Sequence, residues 1–415
     1  MIPRLALAAL AVLGRAALAS DADALQLADD APQTVARASD WRSFAELAFG
    51  EARRRGDGAV RRDRRLSLDI QYDHSLSSEW RAVFADRLDA SWPAQGSGDK
   101  AINTVKEAYL SRQWRQDLLL DLGRVNARHG VATGYNPTDY FRDGALRSVT
   151  SIDPASLKEN RQGSVMLRGQ KLWEGGALTA LYSPRLSRQA SSEGLSLDWG
   201  ATNKRDRALV VLGQKLGETL SPQFLAYREA ALPTQFGLNL SGLVNDATVA
   251  YLEWSGGRSP SLLSQALQQA AAPAWRNRLA TGLSYTTPGK LSLTAEWQYS
   301  GAGLEREAWD ALRAGPPALY ALYRQRVQTA QELPTRQALF FRATWQDALI
   351  HRLDLSAMLN VDLIDSSRRP WLEARYRGDR AEYAVQWLRN DGRSLSNYGA
   401  LPDSRGWQVT MRCFF

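Results

Sequence analysis

Hydrophobicity that alternates with a period of two residues recurs along this chain and restricts its fold more than any other feature. In residues 66–73, Leu66, Leu68, Ile70 and Tyr72 oppose Ser67, Asp69, Gln71 and Asp73. Residues 291–300 set Leu291, Leu293, Trp297 and Tyr299 against Ser292, Thr294, Glu296 and Gln298, and residues 353–363 and 381–387 repeat the pattern. A strand sends successive side chains to opposite faces, so each segment has one oily and one strongly polar face. A soluble sandwich also alternates, but gives aromatic residues no reason to gather at strand ends. Here Trp80 and Trp92 bracket one strand, while Trp297, Tyr299, Trp387 and Trp407 lie near the ends of theirs, as an interfacial girdle requires.

The connections between these segments alternate between short and long, with the longest over residues 127–159 and 301–334. Turns on one side and loops on the other is a barrel asymmetry for which a sandwich offers no cause. The expected fold class is therefore all-β, a transmembrane antiparallel up-and-down β-barrel of about 18 strands. A count of about 16 also fits, because residues 178–182, 220–228 and 248–254 alternate poorly. An even count places both chain ends on the short-turn side.

The final stretch, residues 406–415, puts Trp407, Val409, Met411, Cys413 and Phe415 on one face and Gln408, Thr410 and Arg412 on the other. It resembles the C-terminal strand of Gram-negative outer-membrane β-barrels of the porin type. That resemblance implies that Trp407, Val409, Met411 and Phe415 form a signal read by the barrel assembly machinery. It also implies residence in the cell outer membrane, among its lipid and lipopolysaccharide, with short turns periplasmic and long loops extracellular. The strand should close the barrel by pairing with the first, near residues 41–49.

Residues 1–19 carry Arg4, an apolar run and Ala17-Leu18-Ala19, the layout of a secretory signal peptide. Residues 20–38 then form a periplasmic segment and residues 39–415 the barrel. No later segment approaches the ~20 apolar residues of a membrane helix. The lone Cys413 reads as a small apolar residue on the lipid face.

A barrel of this size leaves an aqueous channel. Its expected lumen charges include Arg81, Arg87, Arg168, Arg342, Arg352 and Arg375, and the formal net charge is +8. Inward arginines favour polar or anionic small solutes, and nucleic acid is excluded by the absence of a basic helix or basic-aromatic platform. The loop after residue 123 contains Tyr135, Tyr140 and Phe141, too apolar for a free surface segment. It is expected to fold inward as a constriction involving Arg124, Arg128, Tyr135, Asp139, Tyr140 and Arg142. Helix-like spacing over 305–312 and 318–328 suggests a cap on the outer mouth.

The function expected is a porin-like channel; alternatives are an export or secretion barrel for an acidic polysaccharide or other polymer, and a structural or adhesive barrel. His129 beside Ser148, Ser151 and Asp153 lacks any defined catalytic spacing. No enzyme activity, metal or cofactor is expected.

Overall fold

The computed structural model describes residues 40–93, 100–187, 191, 193–197, 199–269 and 272–415. The signal peptide expected over 1–19 and the periplasmic segment expected over 20–38 lie outside them. Eighteen antiparallel strands form one sheet, each paired with its sequence neighbour, and β18 returns to pair with β1. Closure leaves no exposed edge, the condition for a sheet to stand in lipid.

The strands are β1 (Trp41–Arg54), β2 (Val60–Ser75), β3 (Trp80–Pro93), β4 (Lys100–Arg115), β5 (Leu118–Val125) and β6 (Ser164–Trp173). They continue as β7 (Gly176–Ser183), β8 (Arg207–Gln214), β9 (Leu220–Glu229), β10 (Gln235–Asn245), β11 (Thr248–Ser259) and β12 (Ala274–Thr286). The last six are β13 (Leu291–Ser300), β14 (Gln337–Trp345), β15 (Leu353–Asp362), β16 (Arg368–Arg377), β17 (Ala381–Arg389) and β18 (Asp403–Phe414). Four helices occur in the described loops: α1 (Pro154–Glu159), α2 (Leu262–Ala266), α3 (Arg306–Ala314) and α4 (Pro317–Ala330). The three strands that alternate poorly in sequence are all present as β7, β9 and β11, which settles the count at eighteen.

The closing register matches Leu47 to Met411 and Phe49 to Val409, so the apolar faces of the first and last strands coincide. Those side chains are exposed on the outside of the barrel, while Glu46 and Arg412, in register with each other, turn inward. A one-residue slip would exchange the faces and put Arg412 into lipid, at about 2–4 kcal/mol near the midplane.

Part of the wall is short of strand pairing. β5 ends at Val125, and its pairing with β4 reaches no higher than Ala108 with Arg124. Above that level the loop between β7 and β8 covers the bare edge of β4, where the Asn103 amide donates to the Gly194 carbonyl at 2.7 Å. At the long-loop end, α2, α3 and α4 bury Leu262, Trp309, Leu312, Tyr320, Tyr323 and Val327 in a single cluster. The two helices expected from spacing in the 301–334 stretch are thus α3 and α4, with starts within one residue of those expected and each running two residues further at its end.

Candidate functional site

The loop between β5 and β6 enters the barrel instead of lying over its rim. Its apolar residues explain why: Phe141 joins Val125, Met166, Leu181, Leu209, Leu225 and Tyr227 in a buried cluster on the inner face of β5 to β9. Tyr140 stacks on Tyr227, with centroids 4.4 Å apart and planes 3° from parallel. The lumen on that side is filled with side chains.

The loop tip must satisfy its backbone amides away from bulk water, and two wall carboxylates do so. Glu253 of β11 accepts from the amides of Val131, Ala132 and Thr138 at 2.9, 3.0 and 2.8 Å. Glu296 of β13 accepts from those of Thr133, Gly134 and Tyr135 at 2.9, 3.1 and 2.9 Å. Amide bonds to an ionised acceptor are about twice as strong as neutral ones. Gly130 permits the close approach: at φ +114, a Cβ there would lie 2.6 Å from Glu253 Oε2.

The base of the loop is tied by Arg161, whose guanidinium donates to Asp139 at 2.5 and 3.1 Å and to Asn126 at 2.7 Å. Its middle is tied to the β13–β14 loop. Glu332 accepts from Arg142 at 2.7 Å and from the Tyr135 hydroxyl at 2.6 Å, and pairs with Arg278 at 2.9 Å. Burial alone would raise the Glu332 carboxyl, but Arg278 and Arg142 hold it down at about 2. Burial, reinforced by Glu332, pushes the Tyr135 phenol well above its ordinary range, so it stays a donor. Arg326 of α4 grips Asp143 at 2.9 and 2.7 Å. The inward loop and the cap are therefore one bonded unit.

Opposite this unit runs a continuous ladder of inward charges from β16 to β4. Arg375 bonds Glu373 and Glu382 at 2.9 and 3.0 Å. Arg412 bridges Glu382 at 3.8 Å and Glu46 at 2.8 Å. Glu46 also meets Arg65 and Arg87, Arg87 meets Asp89 and Asp69, and Asp69 ends on Lys106 at 2.7 Å. Arg342 of β14 meets Asp153, the N-cap of α1, at 2.7 Å and links wall to loop.

Of the six residues expected at the constriction, Tyr135, Asp139, Tyr140 and Arg142 come together inside the inward loop, each bonded as a fastening. Arg128 is exposed and acts electrostatically on Glu107. Arg124 does not join them. It alternates with the outward Leu122 and pairs with Ala108 and Val165, so it leaves the barrel on the outer face. There it donates to the Gly163 carbonyl at 2.9 Å beneath the ring of Trp199.

Among the expected lumen charges, Arg81 faces inward at the short-turn end and bonds Asp73 twice at 2.5 Å. Arg168 bonds Asp121 at 2.6 Å. Arg352 lies outside the lumen: at φ 70 it sits in the β14–β15 turn, bridging Asp379 of a neighbouring turn at 2.6 Å. Glu253, Glu332, Arg161 and Lys106 are structural anchors that sequence reading missed. A lone glutamate between Leu252 and Trp254 was the one local sign of Glu253. Asp153, which lies near His129 in sequence, is occupied by Arg342 and by the Ser156 amide of α1.

No family model matches the sequence, and none of the curated proteins matches it. Solved structures do resemble the fold. OccAB1 of Acinetobacter baumannii is 8% identical, with a TM-score of 0.57 over 90% of this chain and 96% of that one. OccK5 (OpdH) of Pseudomonas aeruginosa is 11% identical, with a TM-score of 0.54 over 91% and 98%. The outer membrane protein OpdK of the same organism is 9% identical, with a TM-score of 0.54 over 91% and 99%. The fold is that of an outer-membrane porin barrel. In a porin barrel the short turns face the periplasm and the long loops the exterior. The inward loop and the charge ladder lie inside the barrel, and the cap is fastened to the loop by Arg326 and Asp143.

Proposed function

We propose that this chain is an outer-membrane channel that passes small polar or anionic solutes between the inward loop and the charge ladder. One observation carries the solute class: at the β16–β18 end of this ladder the guanidiniums reach further into the water than their partners. The Arg412 side chain is 27% exposed and that of Glu46 7%; Arg375 is 24% exposed and Glu373 11%. A solute in transit meets cationic groups before the carboxylates behind them, although the ladder is close to neutral in sum.

The fastened loop supports small solutes over a polymer, because an exporter of an acidic polysaccharide needs a bore free of cross-struts. In this reading residues 1–19 direct export, residues 20–38 stay in the periplasm, and the last strand is read by the assembly machinery. The deciding measurement is the reversal potential of single channels in planar bilayers under a salt gradient. An anion-selective wild type whose preference falls in the pair Arg375→Gln with Arg412→Gln supports the proposal. A cation-selective wild type refutes it.

A further inference from the structure

The outer surface of the barrel carries a feature that solute transport does not use. At the long-loop end, Arg389 of β17, Arg405 of β18 and Arg53 of β1 lie side by side, since Arg389 registers with Arg405 and Arg405 with Arg53. All three alternate with the outward residues Trp387, Trp407 and Phe49, so they point away from the lumen. Like charges directly opposite one another on neighbouring strands repel and destabilise the sheet.

The protein supplies little to offset that repulsion. Arg389 has Asp391 at 2.6 Å. Arg53 donates only to the Gly58 carbonyl, at 3.2 Å. Arg405 makes no side-chain hydrogen bond or ion pair among the described residues. Glu51, two residues before Arg53, is taken by Arg62 at 2.7 Å, and Asp403, two residues before Arg405, by Arg61 at 3.2 Å.

One step toward the membrane centre, Trp387 and Trp407 face each other across β17 and β18, and Phe49 packs against Trp407 at 5.6 Å. The two arginines Arg53 and Arg405 and the two tryptophans line one concavity of about 480 Å³ with Glu51 and Val60. Tryptophan rings mark the boundary between hydrocarbon and headgroups on such a barrel. The arginine row therefore stands at headgroup height, with an apolar floor beneath it.

We infer that this concavity binds one outer-leaflet lipid, with Arg53 and Arg405 clasping a headgroup phosphate and Trp387 and Trp407 carrying the first part of an acyl chain. The guanidinium fork suits a phosphate, and the anion relieves the repulsion that the row builds in. The aromatic floor selects a lipid over a free anion. This inference rests on the barrel spanning the outer membrane with its long loops outward; channel conductance in bilayers tests that reading separately.

The test uses native mass spectrometry of the detergent-solubilised full barrel with lipid A, the same lipid lacking its phosphates, and inorganic phosphate. The wild type should retain lipid A about tenfold more tightly than the dephosphorylated lipid and bind inorganic phosphate more weakly still. The pair Arg53→Gln with Arg405→Gln should lose that margin, whereas Arg228→Gln with Arg258→Gln, outward arginines of β9 and β11, should keep it. Equal retention of both lipids by the wild type overturns the inference even if the variant fails to fold. So does an undiminished margin in a folded Arg53/Arg405 variant, or inorganic phosphate bound as tightly as lipid A.

Discussion

Arg412 of the last strand reaches Glu46 of the first, Nη2 to Oε2, at 2.8 Å across the seam that closes the barrel. The same carboxylate meets Arg65 at 2.7 Å and Arg87 at 3.3 Å, so three guanidiniums from β18, β2 and β3 converge on it.

Removing that acceptor should loosen the seam. Glu46→Gln leaves three cations without their shared counter-charge, and loss of one partner of a buried ionic network costs about 3–5 kcal/mol. The expected result is a lower urea midpoint for the folded barrel, together with stronger anion selectivity. An unchanged midpoint would mean that backbone pairing alone holds β1 to β18.

The inward loop should be releasable from its two wall anchors. Glu253→Gln combined with Glu296→Gln keeps side-chain size but removes the charge that six loop amides share. Hydrogen bonds to charged groups contribute about 1.5–3 kcal/mol each. Single-channel conductance should rise and become noisier. Gly130→Ala should act the same way, through its positive φ and its contact with Glu253.

Acid should undo the joint between loop and cap. The Glu332 carboxyl lies at about 2 when folded against an ordinary 4.5. A depressed folded value means that its contribution, on the order of 3 kcal/mol, is fully present above pH ~4.5 and is lost as pH falls toward ~2. Protease cleavage in the residue 301–336 loop should therefore be slow at pH 7 and speed up below pH 4. Glu332→Gln should show the acid behaviour at neutral pH, and a flat pH profile would contradict this assignment.

Arg124 and Arg128 separate lumen from outer wall. Arg128→Ala should reduce anion preference in planar bilayers, since it removes an exposed cation near Glu107. Arg124→Ala should leave selectivity alone and lower thermal stability, because the buried guanidinium under Trp199 helps cover the gap above β5. Reversed phenotypes would place the two residues on the wrong sides.

Deleting Phe415 should affect assembly more than stability. Its side chain is 81% exposed and its amide makes one bond, to the Ser43 carbonyl at 3.0 Å. The amount of folded protein in outer membranes should fall while the urea midpoint of the assembled fraction stays within error.

Strand faces and barrel closure were legible in the order of residues, and strand number to within two, because a two-residue period is a local property that each strand carries by itself. Arg375, Arg87 and Glu296 could be turned inward on that basis alone. Where the period breaks, the reading lost its footing. Arg352 sits before Leu353 at a turn of positive φ, outside the alternating run. Arg124 continues the outward phase of Leu122 and so lies outside the inward loop in which it is expected.

The inward course of the β5–β6 loop was visible in its exposed-unfriendly aromatics; its anchors were not. Glu253 and Glu296 lie 115 to 163 residues from the amides they bind, and Glu332 lies 190 residues from Arg142. The sequence by itself determined a barrel of sixteen to eighteen staves with an oily outside and a charged inside, because alternation acts between neighbours. Only the tertiary structure decided which charges face water, which fasten the loop and which point into the headgroups. Those roles depend on closure bringing distant strands and loops within hydrogen-bond reach, and no local pattern records that distance.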